Sequence, residues 1–149
     1  MTLLTGSSAA DIDADLGRCW ALVEDVVRWP DWQQGLESIG VVESDEHGRP
    51  AVCDIVADAK ITKIHARVRV TYDARHSLTF TLVQSDHVDE VDGSWELRDT
   101  GDGRTHAVYT LAVDPGHVGF MARPIEKALR PIVVGRRAEE LAREVAARG

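Results

Sequence analysis

From Ser38 to Val113 apolar and polar residues alternate, and turn residues interrupt the alternation at Asp45-Glu46-His47-Gly48, Asp73-Ala74-Arg75-His76, Ser85-Asp86 and Asp99-Thr100-Gly101-Asp102-Gly103. A period of two with this spacing of turns predicts successive antiparallel strands. They run from Ser38 to Ser44, Ala51 to Ile61, Ile64 to Tyr72, Ser77 to Gln84, Glu90 to Arg98 and Thr105 to Val113. A further strand before Asp13 makes seven.

Two stretches switch to a helical period. Asp13 is placed to cap a helix that runs to about Asp25, in which Leu16, Cys19 or Trp20, and Val23 form one apolar stripe. Pro30 turns Trp29 away from helical backbone and opens the next turn, so Trp29 and Trp32 flank a bend, with at least one packed inward. After Asp114-Pro115-Gly116 a long helix is predicted from near Met121 or Pro124 to Ala147. Pro131 removes one of its internal hydrogen bonds, which predicts a kink near Lys127 to Arg130. Ile125, Leu129 and Ile132 make one stripe; Val134, Ala138, Leu141 and Val145 make a second, shifted in phase as a kink would require. The first stripe is expected to roof a cavity and the second to pack on the sheet.

Alternation also assigns faces. Ala66, Val68, Val70 and Tyr72 share one parity and His65, Arg67, Arg69 and Thr71 the other. The same rule turns Cys53, Ile55 and Ala57 inward, with Leu78, Phe80 and Leu82, then Val91, Trp95 and Leu97, and finally Ala107, Tyr109, Leu111 and Val113. Asp54, Asp58, His65 and His106 fall outside, leaving few ionisable groups within. A β-bulge would shift a run by one residue and reverse its faces.

Composition narrows the classes. With 149 residues, 44% hydrophobic and 28% charged, the chain is expected to form one soluble domain, residues 1–149. It has no apolar run able to span a bilayer, and Met1 to Ala10 lacks the basic start and apolar core of a secretory signal, so a cytoplasmic location is expected. A net charge of −8 opposes nucleic acid and anionic lipid headgroups as partners. Arg130, Arg136, Arg137 and Arg143 are interleaved with Glu139, Glu140 and Glu144 and read as a solvated helix face. Cys19 and Cys53 belong to no CxxC pair and read as buried apolar fillers. The six histidines show no metal-ligand spacing, so neither a metal nor a cofactor is expected, and no catalytic residue is assigned.

The run from Ile12-Asp13-Ala14-Asp15-Leu16 through Cys19-Trp20-Ala21-Leu22-Val23-Glu24-Asp25 into Arg28-Trp29-Pro30-Asp31-Trp32, with Asp92-Gly93-Ser94-Trp95-Glu96-Leu97 and the closing helix, resembles the START-like superfamily of helix-grip proteins, also called SRPBCC. The resemblance extends from about Ala9 to about Ala147. Gly93-Ser94-Trp95 resembles the Gly-x-Trp of aromatic polyketide cyclases and cyclase/dehydrase-like relatives, and a glycine there lets a strand bend. The resemblance implies an α+β helix-grip fold: a curved antiparallel seven-stranded sheet wrapped around a long C-terminal helix, with an internal apolar cavity. In the superfamily that cavity holds lipids, sterols, isoprenoid quinones, plant hormones or polyketides.

Joined to the face assignment, this makes Ile55, Val68, Val70, Phe80, Leu82, Trp95, Tyr109, Ile125, Leu129 and Ile132 the candidate ligand-binding residues. Tyr109 or Tyr72 would orient a ligand oxygen. Small inward residues (Ala57, Ala66, Ala107) point to a void, as against a filled dry core. The first functional expectation is a carrier or sensor of a hydrophobic small molecule or lipid, without membrane insertion. The second is a polyketide aromatase/cyclase or dehydratase, whose relatives commonly use an inward arginine, tyrosine or histidine. The outward parity of Arg67 and Arg69 counts against it, whereas an inward Arg, His or Asp within hydrogen-bond reach of Tyr109 would favour it. The third is a protein-contact role, like that of ribosome-association toxins or quinone chaperones, through the acidic segment from Asp86 to Asp92.

Overall fold

The computed structural model describes residues 3–60, 62–115, 122–133 and 135–148; within helix 122–133 it describes side chains at 127 and 129–133. Ile61, Met121, Val134 and the side chains of Pro124 and Ile125 lie outside the described residues.

Seven strands form one antiparallel sheet: β1 (Leu4–Ile12), β2 (Leu36–Ser44), β3 (Pro50–Asp58), β4 (Lys63–Asp73), β5 (Ser77–Gln84), β6 (Glu90–Asp99) and β7 (Thr105–Asp114). Their order is β1-β7-β6-β5-β4-β3-β2. Strands 2 to 7 form a meander and β1 returns to pair with β7. The alternation within β4 holds: Ile64, Val68 and Val70 are buried while His65 and Arg69 are exposed. Between β4 and β5 the register steps from Arg67↔Gln84 to Val68↔Leu82, which leaves Val83 as an extra, exposed residue. The bulge therefore falls after the inward run of β5 and does not reverse it.

Helix α1 (Leu16–Glu24) and a 3-10 helix (Val26–Asp31) connect β1 to β2. The cap is Asp15, not Asp13: its carboxylate accepts from the Arg18 amide at 2.9 Å. Pro30 does not open the turn either. It lies inside the 3-10 helix, whose φ range includes the value the proline ring imposes. Both flanking indoles are buried. Trp29 packs edge-on to Phe80 with centroids 5.7 Å apart, and Trp32 packs against Trp95 at 5.9 Å.

Trp29 and Trp95 differ in one respect. Trp29 Nε1 donates to the Val23 carbonyl at 3.0 Å, whereas Trp95 Nε1 is buried without a partner among the described residues. Trp29→Phe strands a buried carbonyl, a cost of about 1–3 kcal/mol beyond packing. Trp95→Phe removes a donor that had no partner. Urea denaturation is expected to rank Trp29→Phe as the more destabilising; the reverse ranking would contradict this bonding pattern.

The C-terminal helix is two helices, α2 (Ala122–Val133) and α3 (Arg137–Arg148). The break lies at Gly135 and Arg136, not at Lys127 to Arg130 as Pro131 suggests. Pro131 sits in the last turn of α2 with its ring exposed, where the helix is about to end anyway. A Cβ on Gly135 would lie 3.0 Å from the Pro131 carbonyl oxygen, so glycine is what lets the chain turn there. Ser8 of β1 then accepts from the Ala138 amide at 2.9 Å, satisfying an N-terminal amide of α3 from another element. Ala138, Leu141 and Val145 of α3 are buried, and α3 packs on β1, β7 and α1.

Candidate ligand cavity

Between the concave face of the sheet, the 3-10 segment and α2 lies a cavity of about 90 Å³. Its sheet walls are Ile55 and Ala57 of β3, Ile64, Ala66 and Val68 of β4, Phe80 of β5, Val91 of β6, and Tyr109, Leu111 and Val113 of β7. Trp29, Gln33, Leu36, Leu129, Ile132, Val133 and Arg137 close it. The small residues at 57 and 66 leave room where a larger side chain would fill the concave face.

Of the candidate set, Ile55, Val68, Phe80, Tyr109, Leu129 and Ile132 border the cavity. Val70, Leu82 and Trp95 do not. Val70 is 4% exposed, in the filled part of the core, and Leu82 is half-buried next to the bulge at Val83. Trp95 is fully buried between Trp32 and Tyr109, its centroid 4.8 Å from that of Tyr109, so its ring supports the wall from behind. The Ile125 side chain lies outside the described residues. Tyr72 is also elsewhere: its hydroxyl donates to the Pro50 carbonyl at 2.6 Å, and the Arg49 guanidinium lies 4.4 Å over its ring.

Gly93 has a steric role besides any freedom it gives the strand to bend. A Cβ at this position would lie 2.0 Å from Cζ of Phe80, its register partner on β5. The glycine makes space for the Phe80 ring to lie across β6 and form one face of the cavity.

Among the described residues that line the cavity, the polar side chains are Gln33, Tyr109 and Arg137, which are 2%, 4% and 3% exposed, and Arg137 adjoins Tyr109. Arg137 was expected on a solvated face, but it is buried. Its Nη1 donates to the Gln34 carbonyl at 2.6 Å and to Glu140 Oε1 at 2.8 Å, while Glu140 Oε2 accepts from the Gln34 amide at 2.8 Å. This pair fastens α3 to the segment after the 3-10 helix. Arg137 Nε and Gln33 Nε2 have no hydrogen-bond partner among the described residues. Burial pushes the Tyr109 hydroxyl pKa above its ordinary value, while the adjoining Arg137 works in the opposite direction through its charge and through a side-chain hydrogen bond to the phenol. Tyr109 is therefore a neutral phenol at physiological pH, next to a cation. The Gln33 amide, the Arg137 guanidinium and a phenol together suit an oxygen atom that carries or develops negative charge.

Both cysteines are buried thiols. Burial pushes Cys53 from 9.0 up to about 11, with the nearby Asp54 charge adding to the shift; burial likewise raises Cys19. Below pH 9 the Cys53 thiol is protonated both folded and unfolded. As pH rises further only the unfolded chain releases the proton, so the stability tied to this thiol is lost up to about pH 11. Denaturant midpoints are expected to fall across that interval and to fall less in Cys53→Ala; a midpoint that rises with pH there would contradict it.

On the convex face Arg67 and Asp54 form a two-point pair at 2.8 and 3.1 Å, in keeping with their outward parity. Among the described residues no group of three or more His, Cys, Asp or Glu could hold a metal ion, and no helix is long and apolar enough to cross a membrane.

Residues 4–148 match the family model described as polyketide cyclase / dehydrase and lipid transport. No curated protein sequence matches. Among solved structures, a START superfamily protein from Mycobacterium smegmatis superposes with a TM-score of 0.78 at 17% identity, over 97% of this chain and 99% of that one. The Zhui aromatase/cyclase from Streptomyces sp. R1128 gives 0.80 at 15% identity, over 99% and 96%. A Thermus thermophilus protein, TTHA0849, gives 0.75 at 20%, over 97% and 99%. At these identities the structural likenesses speak for the fold alone, and the family match covers almost the whole chain. With its seven-stranded curved sheet closed over a C-terminal helical segment, the chain is a START-like (SRPBCC) protein and belongs to the polyketide cyclase / dehydrase and lipid transport family.

Proposed function

We propose that the protein binds a hydrophobic small molecule whose apolar end occupies the cavity and whose oxygen is held by Arg137, Gln33 and Tyr109. The observation that carries this reading is that Gln33 Nε2 and Arg137 Nε, both buried on the cavity wall, meet no acceptor among the described residues, in a described lining that is otherwise apolar apart from Tyr109. A buried donor left without an acceptor costs about 1–3 kcal/mol, so a ligand carbonyl or carboxylate that meets it recovers free energy that apolar burial alone does not supply. The walls contribute the rest at roughly 25 cal/mol per Å² of apolar surface removed from water.

A carrier or sensor is the form of this function that we favour. None of the described cavity-lining residues is a carboxylate or imidazole able to take a proton from carbon. Tyr109 with a raised pKa is a donor and a poor base, and Glu140 is committed to Arg137 and the Gln34 amide.

A cyclase is the second reading, and Arg137 beside Tyr109 is the observation in its favour: the two groups suit an enolate oxygen formed during aldol closure. Native mass spectrometry of protein purified from its own host tests the first reading. An apolar, oxygen-bearing molecule released on unfolding is the expected result, and protein that is bare in every preparation counts against a retained cargo. Turnover of a poly-β-ketone mimic that falls in Tyr109→Phe would instead support the second reading.

A further inference from the structure

On the outer side of Ile132 lies a groove of about 860 Å³, bordered by the segment at Gln34 and Gly35, the β3–β4 turn, and both C-terminal helices. Ile132 and Arg137 border the groove and the cavity alike, so one side-chain layer separates the two spaces. The barrier is thin at Ile132, which lies against Gly35. This glycine has φ of +89°, and a Cβ there would come within 2.9 Å of Ile132 Cγ1. The charge of the groove is opposite to that of the protein. In a chain of net charge −8, Lys60, Lys127 and Arg143 line it, all exposed and none with a carboxylate in salt-bridge range among the described residues. Among the described residues that line it the acids are Glu140, bound to Arg137, and Asp58, which accepts from the Lys60 amide at 2.8 Å.

Size adds a separate constraint. Pockets that take a drug-sized ligand are generally roughly 300 to 1,000 Å³. A cavity of about 90 Å³ admits only one end of such a molecule, and among the described residues the groove beyond Ile132 is a neighbouring space with room for the remainder.

We infer that the ligand is an anionic amphiphile, whose apolar end passes Ile132 into the cavity and whose phosphate or carboxylate rests in the groove against Lys60, Lys127 and Arg143. This rests on the cavity-binding reading above and adds a charge class to it. The repulsion expected from the net charge is overridden locally, because interactions beyond a Debye length of about 8 Å are largely screened at physiological salt while the groove cations are in contact range.

Calorimetric titration of the whole protein with octyl phosphate, 1-octanol and inorganic phosphate, at low and high salt, tests the inference. Octyl phosphate is expected to bind roughly tenfold more tightly than octanol at low salt, and the ratio to fall towards one at high salt or in Lys60→Gln/Lys127→Gln/Arg143→Gln. Octanol bound as tightly as octyl phosphate, or a ratio that survives in the triple variant, would overturn the headgroup site and leave the cavity reading standing. Inorganic phosphate bound as tightly as octyl phosphate would reduce the groove to a free-anion site and overturn the amphiphile. If neither octyl compound binds, the amphiphile inference fails, while the cavity reading is decided separately by a ligand whose oxygen can reach Arg137, Gln33 and Tyr109.

Discussion

Arg137→Met is expected to destabilise the protein by about 3–5 kcal/mol, the cost of leaving one member of a buried ion pair alone. The side chains of Arg137 and Glu140 are 4% and 13% exposed, so little water is available to replace the lost partner. Methionine keeps length and apolar bulk but strands the Glu140 carboxylate and the Gln34 carbonyl. Adding Glu140→Gln removes the stranded charge while keeping an acceptor for the Gln34 amide, so the double variant is expected to regain part of the loss. Chemical denaturation of the two variants and the wild type measures this. A single-variant loss below about 1 kcal/mol, the range of exposed pairs, would mean that water reaches the pair.

The second large effect is expected at Gly93. A methyl group 2.0 Å from the Phe80 ring is far inside contact distance, and the β6 backbone is held by pairing to both β5 and β7. The ring has to move, and the nearest open space is the cavity it borders. Gly93→Ala is therefore expected to cost about 1–3 kcal/mol through overpacking and to obstruct the cavity. Phe80→Leu in the Gly93→Ala background is expected to restore part of both stability and binding, since the shorter side chain leaves room for the methyl group. A Gly93→Ala variant that matches the wild type in both properties would contradict the close approach of Phe80.

How legible the protein was in its sequence varied with the kind of interaction. Period-two alternation placed the strands and their faces because side chains alternate across a sheet whatever the tertiary context. The cavity walls at Ile55, Val68, Phe80 and Tyr109 followed from it. Parity assigns a side but not a depth, and Trp95 and Val70 point inward into filled core. Depth along a strand is set by which neighbour reaches in, and Trp32 arrives beside Trp95 from the end of the 3-10 segment.

The burial of Arg137 had a signal in the sequence. It precedes Leu141 and Val145 at four-residue steps, which puts it on the buried stripe of α3, but the surrounding charges made it resemble surface. Gln33 carried no such signal; its burial comes from the chain folding under α2. Likewise Pro131 marked a helix break in the right region at the wrong residue, because a missing hydrogen bond near a helix end is cheap and the turn itself needed Gly135.

Binding in the cavity is tested most directly by titration with a medium-chain ketone such as 2-octanone, followed through tryptophan fluorescence, in the wild type and in Ala66→Phe. Trp29 borders the cavity and reports on its contents, while a phenyl ring at position 66 fills it from the sheet side. Saturable one-to-one binding by the wild type is expected, and its loss in a folded Ala66→Phe. Binding that survives the filled cavity, or a wild type that never saturates, would contradict a ligand held in this space.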